Sequence, residues 1–312
     1  MDKILRQFIE VADNQSINKA AKNLGISQPA LSRNMQRLEE NFGKPLINRT
    51  SSGIDLTEYG QILYRRAQVM ELEFQYALEE FKALDGISDG VIRIGSGYDW
   101  SLGLLPQITK KLNGKHAKIG FHIQNGYIDH LLADLSSGRL DVVLAEIQPQ
   151  GELSNAVTFK PIREVYWHIF TDAHHPAQEN NYTKLEQINK FPWAAYNVEP
   201  AMAVDTRRIF DRQRLKRPDM HYTTNSILTI FRLMQENTNT ITCLPSELTD
   251  AAERFGLKRL NITDTSLPQY AAGIYYRNSA IHVPYLKDFI DIFEEEYIND
   301  DTSTFSKKKK NG

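Results

Sequence analysis

Residues 16–38 read SINKAAKNLGISQPALSRNMQRL, and this stretch determines how the N-terminal part of the chain folds. Ser16 and Ser27 each precede residues with the apolar spacing of a helix. Serine is a favoured N-cap because its hydroxyl accepts a hydrogen bond from a free backbone N–H. Gly25 follows the first helix, where a left-handed residue is wanted, and Pro29 falls in the first turn of the second, where a missing N–H costs little. The stretch therefore predicts two short helices joined by a tight turn, a helix-turn-helix.

The second of these helices has an outward face suited to reading DNA. Leu31, Met35 and Leu38 recur at helical spacing and are expected to face the core. Glutamine and arginine on the other face are the side chains that make bidentate hydrogen bonds to adenine and guanine in the major groove. The predicted DNA-contacting residues are Ser27, Gln28, Pro29, Ser32, Arg33, Gln36, Arg37 and Arg49. A solvated helix surface is the alternative for such a face taken alone, but the caps and the glycine turn agree with DNA binding.

A small hairpin is expected next, with strand candidates at 46–47 and 54–56 around a turn-rich tip at Ser51, Ser52 and Gly53. From Thr57 the apolar spacing changes to alternating steps of four and three residues over roughly four heptads, which is typical of a dimerising helix. The stripe comprises Leu63, Ala67, Met70, Phe74, Ala77 and Phe81, and the same spacing continues to Leu84. Packing of this helix against its own domain is the alternative. Glycines at 86 and 90 then indicate a hinge.

Beyond Val91 the pattern alternates between strands and helices, which predicts a mostly parallel sheet and two α/β lobes of roughly 100 residues each. The expected strands are 91–95, 119–124, 140–145, 165–171, 241–244 and 271–276. The expected fold class is α/β, with an all-α winged helix-turn-helix and a long linker helix in front of the lobes. The predicted domains are 1–58 for DNA binding, 59–89 for the linker helix and hinge, 90–300 for the effector-binding domain, and 301–312 for a disordered basic tail. Within 90–300, lobe I covers about 90–160 and 268–300 and lobe II about 161–267.

Ligands of open α/β sheets bind beyond the carboxyl ends of the strands, where helix N-termini offer free N–H groups. Three loops rich in hydroxyl and amide groups hold such positions, and Glu146 ends a buried strand at the first crossing between lobes. The candidate effector-binding residues are Ser96, Tyr98, Ser101, Tyr127, Glu146, Thr224, Asn225 and Ser226. The N–H groups favour a carboxylate, whereas Asp99 and Glu146 argue for a ligand that also carries a donor or a cation. Helix capping alone is the alternative for each loop.

Residues 8–60 resemble the winged helix-turn-helix of the LysR-type transcriptional regulators. The residues at the family's spacing include Ala20, Ala21, Leu24, Ser27, Gln28, Pro29, Ala30, Leu31, Ser32, Leu38, Glu39, Gly43, Leu46, Arg49, Leu56, Thr57 and Gly60. Gln15 departs from the pattern, because a glycine is usual before the cap serine. The resemblance implies a sequence-specific DNA-binding regulator with two Rossmann-like lobes, similar to periplasmic binding proteins, and a small-molecule co-inducer between them. It also implies a homodimer or a dimer of dimers, with RNA polymerase as a further partner.

The composition and motifs of the sequence disfavour two other classes of function. The net charge of −2 disfavours a sequence-independent protein that coats DNA, which remains the first alternative. A metabolic enzyme is the second, but no G-x-S-x-G elbow occurs and the glycines at 95 and 97 lack the third of a dinucleotide fingerprint. With Cys243 as the single cysteine, we expect no intrachain disulfide, and we expect no metal and no cofactor. The charged N-terminus and the absence of a long apolar run predict a cytoplasmic protein without a membrane partner.

Overall fold

The computed structural model of the chain describes residues 2–50, 53–146, 155–196, 206–263, 267 and 269–305. The N-terminal domain contains α1 (Lys3–Asn14), α2 (Ile17–Asn23), α3 (Gln28–Phe42) and the antiparallel hairpin β1 (Ile47–Thr50) and β2 (Gly53–Leu56). The hydroxyls of Ser16 and Ser27 cap α2 and α3, and Gly25 adopts the left-handed φ of +65°. The core of the N-terminal domain is formed by Phe8, Val11, Ile17, Ala20, Ala21, Leu31, Met35, Leu38, Leu46 and Ile54. The predicted helix-turn-helix is therefore present.

The linker helix α4 (Glu58–Leu84) begins at the N-cap Thr57, whose hydroxyl accepts the Gly60 N–H at 3.0 Å. Gly60 lies so close to the hairpin that a Cβ there would stand 2.0 Å from the Leu46 carbonyl oxygen. Hydrogen bonds and an ion pair restrain the segment after α4 that was predicted to be a hinge. Lys82 Nζ lies 3.2 Å from Asp89 Oδ1, and His116 lies 2.5 Å from Ser88 Oγ and 2.7 Å from Asp288 Oδ2.

The strands of the C-terminal two-thirds are β3 (Asp89–Ser96), β4 (Lys118–Asn125), β5 (Val142–Glu146), β6 (Val157–Asp172), β7 (Trp193–Tyr196), β8 (Met220–Thr224), β9 (Ile241–Pro245), β10 (Leu257–Leu260) and β11 (Gln269–Arg277). Within the described residues they form one sheet in the order β4-β3-β5-β11-β6-β9-β7-β8, with β10 paired to β6. The helices are α5 (Tyr98–Leu102), α6 (Leu105–Lys115), α7 (Ile128–Ser137), α8 (Pro176–Glu179), α9 (Leu185–Ile188), α10 (Thr206–Arg212), α11 (Ile227–Glu236), α12 (Thr249–Arg254) and α13 (Pro284–Phe305), with 3₁₀ turns at Ser246–Leu248 and Asn278–His282.

Two lobes share this sheet. β3, β4 and β5 run parallel in lobe I, and β7, β8 and β9 run parallel in lobe II. The antiparallel strands β6 and β11 join them, so each lobe keeps a separate apolar core. The predicted fold class is confirmed.

Several predicted elements were wrong in extent. β6 begins at Val157 rather than 165, because it continues through the crossing between lobes. The four- and five-residue strands β7, β8 and β10 were missed, since runs this short carry little periodicity. The tail predicted to be disordered from 301 is helical as far as Phe305, because no glycine or proline interrupts α13 after Pro284. Residues 306–312 lie outside the described residues.

Candidate functional site

The α3 helix separates apolar from polar side chains cleanly. Leu31, Met35 and Leu38 are buried in the N-terminal core. On the opposite face Ser32 is half-buried, and the other predicted DNA-contacting residues are exposed: Ser27, Gln28, Pro29, Arg33, Gln36 and Arg37, together with Arg49 on β1. Among the described residues, Arg33, Gln36 and Arg37 make no side-chain hydrogen bond or ion pair. Their donors are therefore available to another molecule.

Polar contacts position α3 on α1 and order its first turn. Asn34 Nδ2 donates to the Oε1 of Gln7, a buried side chain of α1, at 2.8 Å. Gln28 Nε2 donates to Ser32 Oγ at 2.9 Å, which orients the first turn of the exposed face. The Asn34–Gln7 pair was not predicted, because one asparagine on a polar face gives no signal of a buried partner. Its burial makes the position of α3 on α1 specific.

The hairpin is fixed to the end of α3 by a carboxylate. Glu39 Oε1 accepts the backbone N–H groups of Leu46 at 2.8 Å and Ile47 at 3.1 Å. Thr57 Oγ1 donates to the Pro45 carbonyl at 2.7 Å. These bonds set where β1, and with it Arg49, stands beside α3. The predicted tip residues Ser51 and Ser52 lie outside the described residues.

The stripe predicted on α4 divides into two parts. Leu63 packs against the N-terminal core, and Ala67 is fully buried within the chain, so its predicted role in pairing with a second copy is wrong. Ala77 is half-buried. The exposed part is formed by Met70 at 50%, Phe74 at 39%, Phe81 at 62% and Leu84 at 86% of their surface. On another side of the helix, Leu72 and Tyr76 are buried in the core of lobe I. Packing of α4 against its own chain is thus observed for one face, and pairing with a second copy stays a prediction for the exposed face.

The candidate ligand loops meet at a cleft between the lobes. Ser96, Asn125 and Glu146 end the parallel strands β3, β4 and β5, and Thr224 ends β8. Asn225 Nδ2 of lobe II donates to the Tyr127 hydroxyl of lobe I at 3.1 Å. The structure therefore brings the predicted loops from the two lobes together across one opening.

Side chains around the cleft differ in what they offer a ligand. Ser96 is fully buried, and its hydroxyl donates to the Gly97 carbonyl at 2.8 Å. The same hydroxyl accepts from Ser101 at 3.3 Å, so Ser96 positions Ser101. The hydroxyl of Ser101 also accepts a hydrogen bond from Asn125, which was not among the predicted residues. The side chains of Tyr98 and Asp99 lie outside the described residues.

The lobe II side of the cleft is built around the start of α11. Ser226 Oγ caps the helix by accepting the Thr229 N–H at 3.3 Å, and Thr224 Oγ1 accepts the Ser226 N–H at 3.1 Å. The N-terminus of α7 lies opposite and starts at Tyr127. Glu146 is half-buried, and its carbonyl accepts the Tyr275 hydroxyl at 3.0 Å. Among the described residues, two helix N-termini, several hydroxyls and the Glu146 carboxylate thus surround the opening.

Other features lie away from the cleft. A cavity of about 570 Å³ is lined by Ala12, Asp13, Gln15, Ile54, Asp55, Leu56, Gln61 and Tyr64 in the N-terminal domain. In lobe II, burial and the nearby Arg259 lower the pKa of His168 to about 4. The described residues contain no cluster of three side chains suited to a metal ion. None of their helices is both long and apolar enough to cross a membrane.

Comparison with known proteins assigns each part of the chain to a family. Residues 3–61 match the bacterial regulatory helix-turn-helix protein model of the lysR family, and residues 86–297 match the LysR substrate binding domain. The transcriptional regulator CrgA of Neisseria meningitidis serogroup C (strain 8013) is 26% identical over 95% of this chain and 96% of its own length. The regulator YybE of Bacillus subtilis (strain 168) is 33% identical over 59% of this chain, and the match spans 62% of YybE.

Solved structures show the same fold. A full-length cysteine variant of OxyR from Pseudomonas aeruginosa has a TM-score of 0.68 at 19% identity, over 93% of each chain. CbnR in a complex with its target DNA has a TM-score of 0.63 at 18% identity, over 95% of this chain and 99% of CbnR. At these identities the likeness concerns the arrangement of the backbone.

Proposed function

The chain belongs to the LysR family of transcriptional regulators, and from this premise we propose which of its residues read DNA and sense a small molecule. As a member, it is a DNA-binding regulator with an effector-binding domain, and the resemblance of residues 8–60 is confirmed. The family match does not favour a sequence-independent DNA-coating protein. We propose that α3 enters the major groove and that Gln28, Arg33 and Gln36 contact base edges. The sugar-phosphate backbone at the edge of the groove is contacted by Ser27, Pro29, Ser32 and Arg37. Arg49 contacts phosphate or the minor groove.

One observation supports this proposal above the others. Arg33, Gln36 and Arg37 are exposed without a partner in the described structure, while the opposite face of α3 is buried. The helix is also held by the Asn34–Gln7 bond, so little order has to be gained on binding. A rigid helix with unpaired amide and guanidinium donors fits the patterned acceptors of the major groove.

Selection of binding sites from a random duplex library tests this assignment. The wild-type protein should enrich a two-fold symmetric site with half-sites about one helical turn, ~34 Å, apart. Arg33→Ala should lose preference at one base position in each half-site, by roughly fivefold to a hundredfold, because a bidentate contact contributes about 1–3 kcal/mol of discrimination. Lys110→Ala removes an exposed positive charge from α6 in lobe I and serves as the control. An unchanged site preference in Arg33→Ala would remove α3 from the groove.

We further propose that two chains pair along the exposed part of the α4 stripe, Met70, Phe74, Phe81 and Leu84, as a dimer or a dimer of dimers. Exposed apolar side chains in a line along one helix are costly in water and are covered when a second copy packs on them. Pairing would also present two α3 helices to the two half-sites. We place the regulator in the cytoplasm, where its DNA partner lies, and we assign RNA polymerase as its further partner.

For the effector we propose a small carboxylate in the interlobe cleft. The N-termini of α7 and α11, which carry positive partial charge, support an anion there. The Glu146 carboxylate at the same opening favours a ligand that also carries a donor or a cationic group. A thermal-shift screen should find stabilisation by such an acid and none by its amide. Thr224→Val should weaken that shift while Thr224→Ser keeps it, since only valine lacks the hydroxyl. Equal shifts with acid and amide would contradict the carboxylate assignment.

A further inference from the structure

Lobe I holds the linker helix through hydrogen bonds from buried side chains. The Tyr76 hydroxyl donates to Asp141 Oδ1 at 2.7 Å, and Asp141 Oδ2 accepts the Arg93 N–H at 2.7 Å. One turn earlier, Glu73 Oε1 accepts from Ser279 Oγ at 2.8 Å and from Arg277 Nη2 at 3.2 Å. Hydrogen bonds depend strongly on distance and angle, both for the buried Tyr76 and Asp141 and for the half-buried Glu73 and Ser279. A small slide of α4 along lobe I would therefore break them.

Arg277 joins α4 to a second helix. Its side chain is buried, and Nη1 donates to the Ser136 carbonyl at 3.2 Å and the Leu135 carbonyl at 3.5 Å. Both carbonyls belong to the last turn of α7, which carries the negative end of the helix dipole, and the Leu135 carbonyl also accepts the Gly138 N–H. One guanidinium therefore binds the C-terminus of α7 and Glu73 of α4 at once.

The other end of α7 lies at the cleft. Tyr127 is its N-cap residue, and the Tyr127 hydroxyl accepts the hydrogen bond from Asn225 of lobe II. A ten-residue helix is about 15 Å long and moves as a rod. A change in the distance between the lobes at Tyr127 is thus transmitted to the carbonyls that Arg277 binds.

On α4 the same turn also contacts the N-terminal domain. Arg6 of α1 pairs with Glu71 at 2.8 Å, and its guanidinium lies over the Phe74 ring at 5.1 Å. Residues two apart point to different sides of a helix, so α1 and lobe I hold Glu71 and Glu73 from different directions. A shift of α4 on lobe I therefore changes the support of the DNA-binding domain.

We propose that Arg277 is a positioning residue that couples the interlobe cleft to the DNA-binding domain. The connection runs from Asn225 and Tyr127 through α7 to Arg277 and Glu73, and from Glu71 to Arg6. This coupling rests on the proposed function in one respect only, namely that a ligand opens or closes the cleft. The connection itself exists without ligand or DNA. It can therefore be tested without either.

Hydrogen–deuterium exchange of the full-length protein provides this test. Tyr127→Phe keeps the ring but removes the cross-cleft acceptor. Glu73→Leu keeps a side chain of similar size but removes the oxygen that accepts from Arg277 and Ser279. Glu80→Gln, on α4 without a side-chain hydrogen bond or ion pair among the described residues, is the control. All variants are compared at one protein concentration, with thermal melting to establish that each is folded.

Tyr127→Phe should accelerate exchange of the α4 amides in 68–78 by roughly threefold to tenfold, the effect of losing one hydrogen bond. In the Glu73→Leu background, adding Tyr127→Phe should leave exchange in 68–78 unchanged, because the connection is already broken. The control should match the wild type. Unchanged α4 exchange in Tyr127→Phe, or the same acceleration in both backgrounds, would overturn the coupling. If Arg33→Ala kept the wild-type site preference, the assignment of α3 to the major groove would be wrong. That outcome and the exchange result for the coupling are independent of each other.

Discussion

Replacing Phe81 by alanine should weaken self-association of the chain strongly. In the single chain, 62% of the Phe81 surface is exposed. With about 200 Å² for a phenylalanine side chain, this corresponds to about 125 Å², or ~3 kcal/mol if it is fully covered. Alanine would retain about a third of that, so about 2 kcal/mol is lost per chain. A two-fold interface loses it twice, which gives about 4 kcal/mol and a dissociation constant higher by up to about a thousandfold.

Sedimentation equilibrium over a concentration series measures this change directly. Phe42→Ala is a matched control, since Phe42 is 53% exposed at the end of α3 and lies outside the α4 stripe. We expect Phe42→Ala to associate like the wild type. We also expect Phe81→Ala to keep the melting temperature of the monomer, because the exposed ring has little contact with its own chain. Wild-type association in Phe81→Ala, or an equal loss in both variants, would refute pairing along the stripe.

Three further predictions concern stability and are checked by thermal or chemical unfolding. Gln15→Gly should raise the free energy of unfolding of the N-terminal domain by about 1 kcal/mol, because Gln15 has a left-handed φ of +49°; a lower stability would contradict this. Gly60→Ala should cost about 3 kcal/mol or more, because its Cβ would meet the Leu46 carbonyl, whereas Gly114→Ala in open space on α6 should be neutral or stabilising. The stability that neutral His168 contributes should be present above pH 6.5 and lost as the pH falls towards its folded pKa of about 4, by on the order of 1–3 kcal/mol. His168→Gln should flatten this acid dependence, and an unchanged profile would speak against it.

The helix-turn-helix could be predicted because its signals are local. Ser16 and Ser27 cap helices, Gly25 ends one, and the apolar residues of α3 follow the helical period. Gln15 adds to this, since the left-handed φ observed there explains why a glycine is usual at that position. Each of these features depends on residues within a few positions of one another.

Features that depend on distant residues were not predicted. The heptad spacing of α4 marks apolar positions but does not say what covers them. Ala67 is covered by its own chain and Phe81 is not. Ser96 is a second example. Its position at the end of a strand predicts that it lines the cleft, but it is fully buried and accepts a hydrogen bond from Ser101. Arg277 pairs with a residue 204 positions away. Such a contact leaves no local pattern.

Recognition of a particular DNA sequence by the exposed face of α3 is the property on which the proposed function depends. Its most direct test is the ratio of dissociation constants, at physiological salt, for the duplex that the wild-type protein enriches from the random library and a scrambled duplex of equal length. We predict tighter binding to the enriched duplex by at least about a thousandfold. Equal affinity for both duplexes, with and without small carboxylates, would contradict sequence recognition by α3.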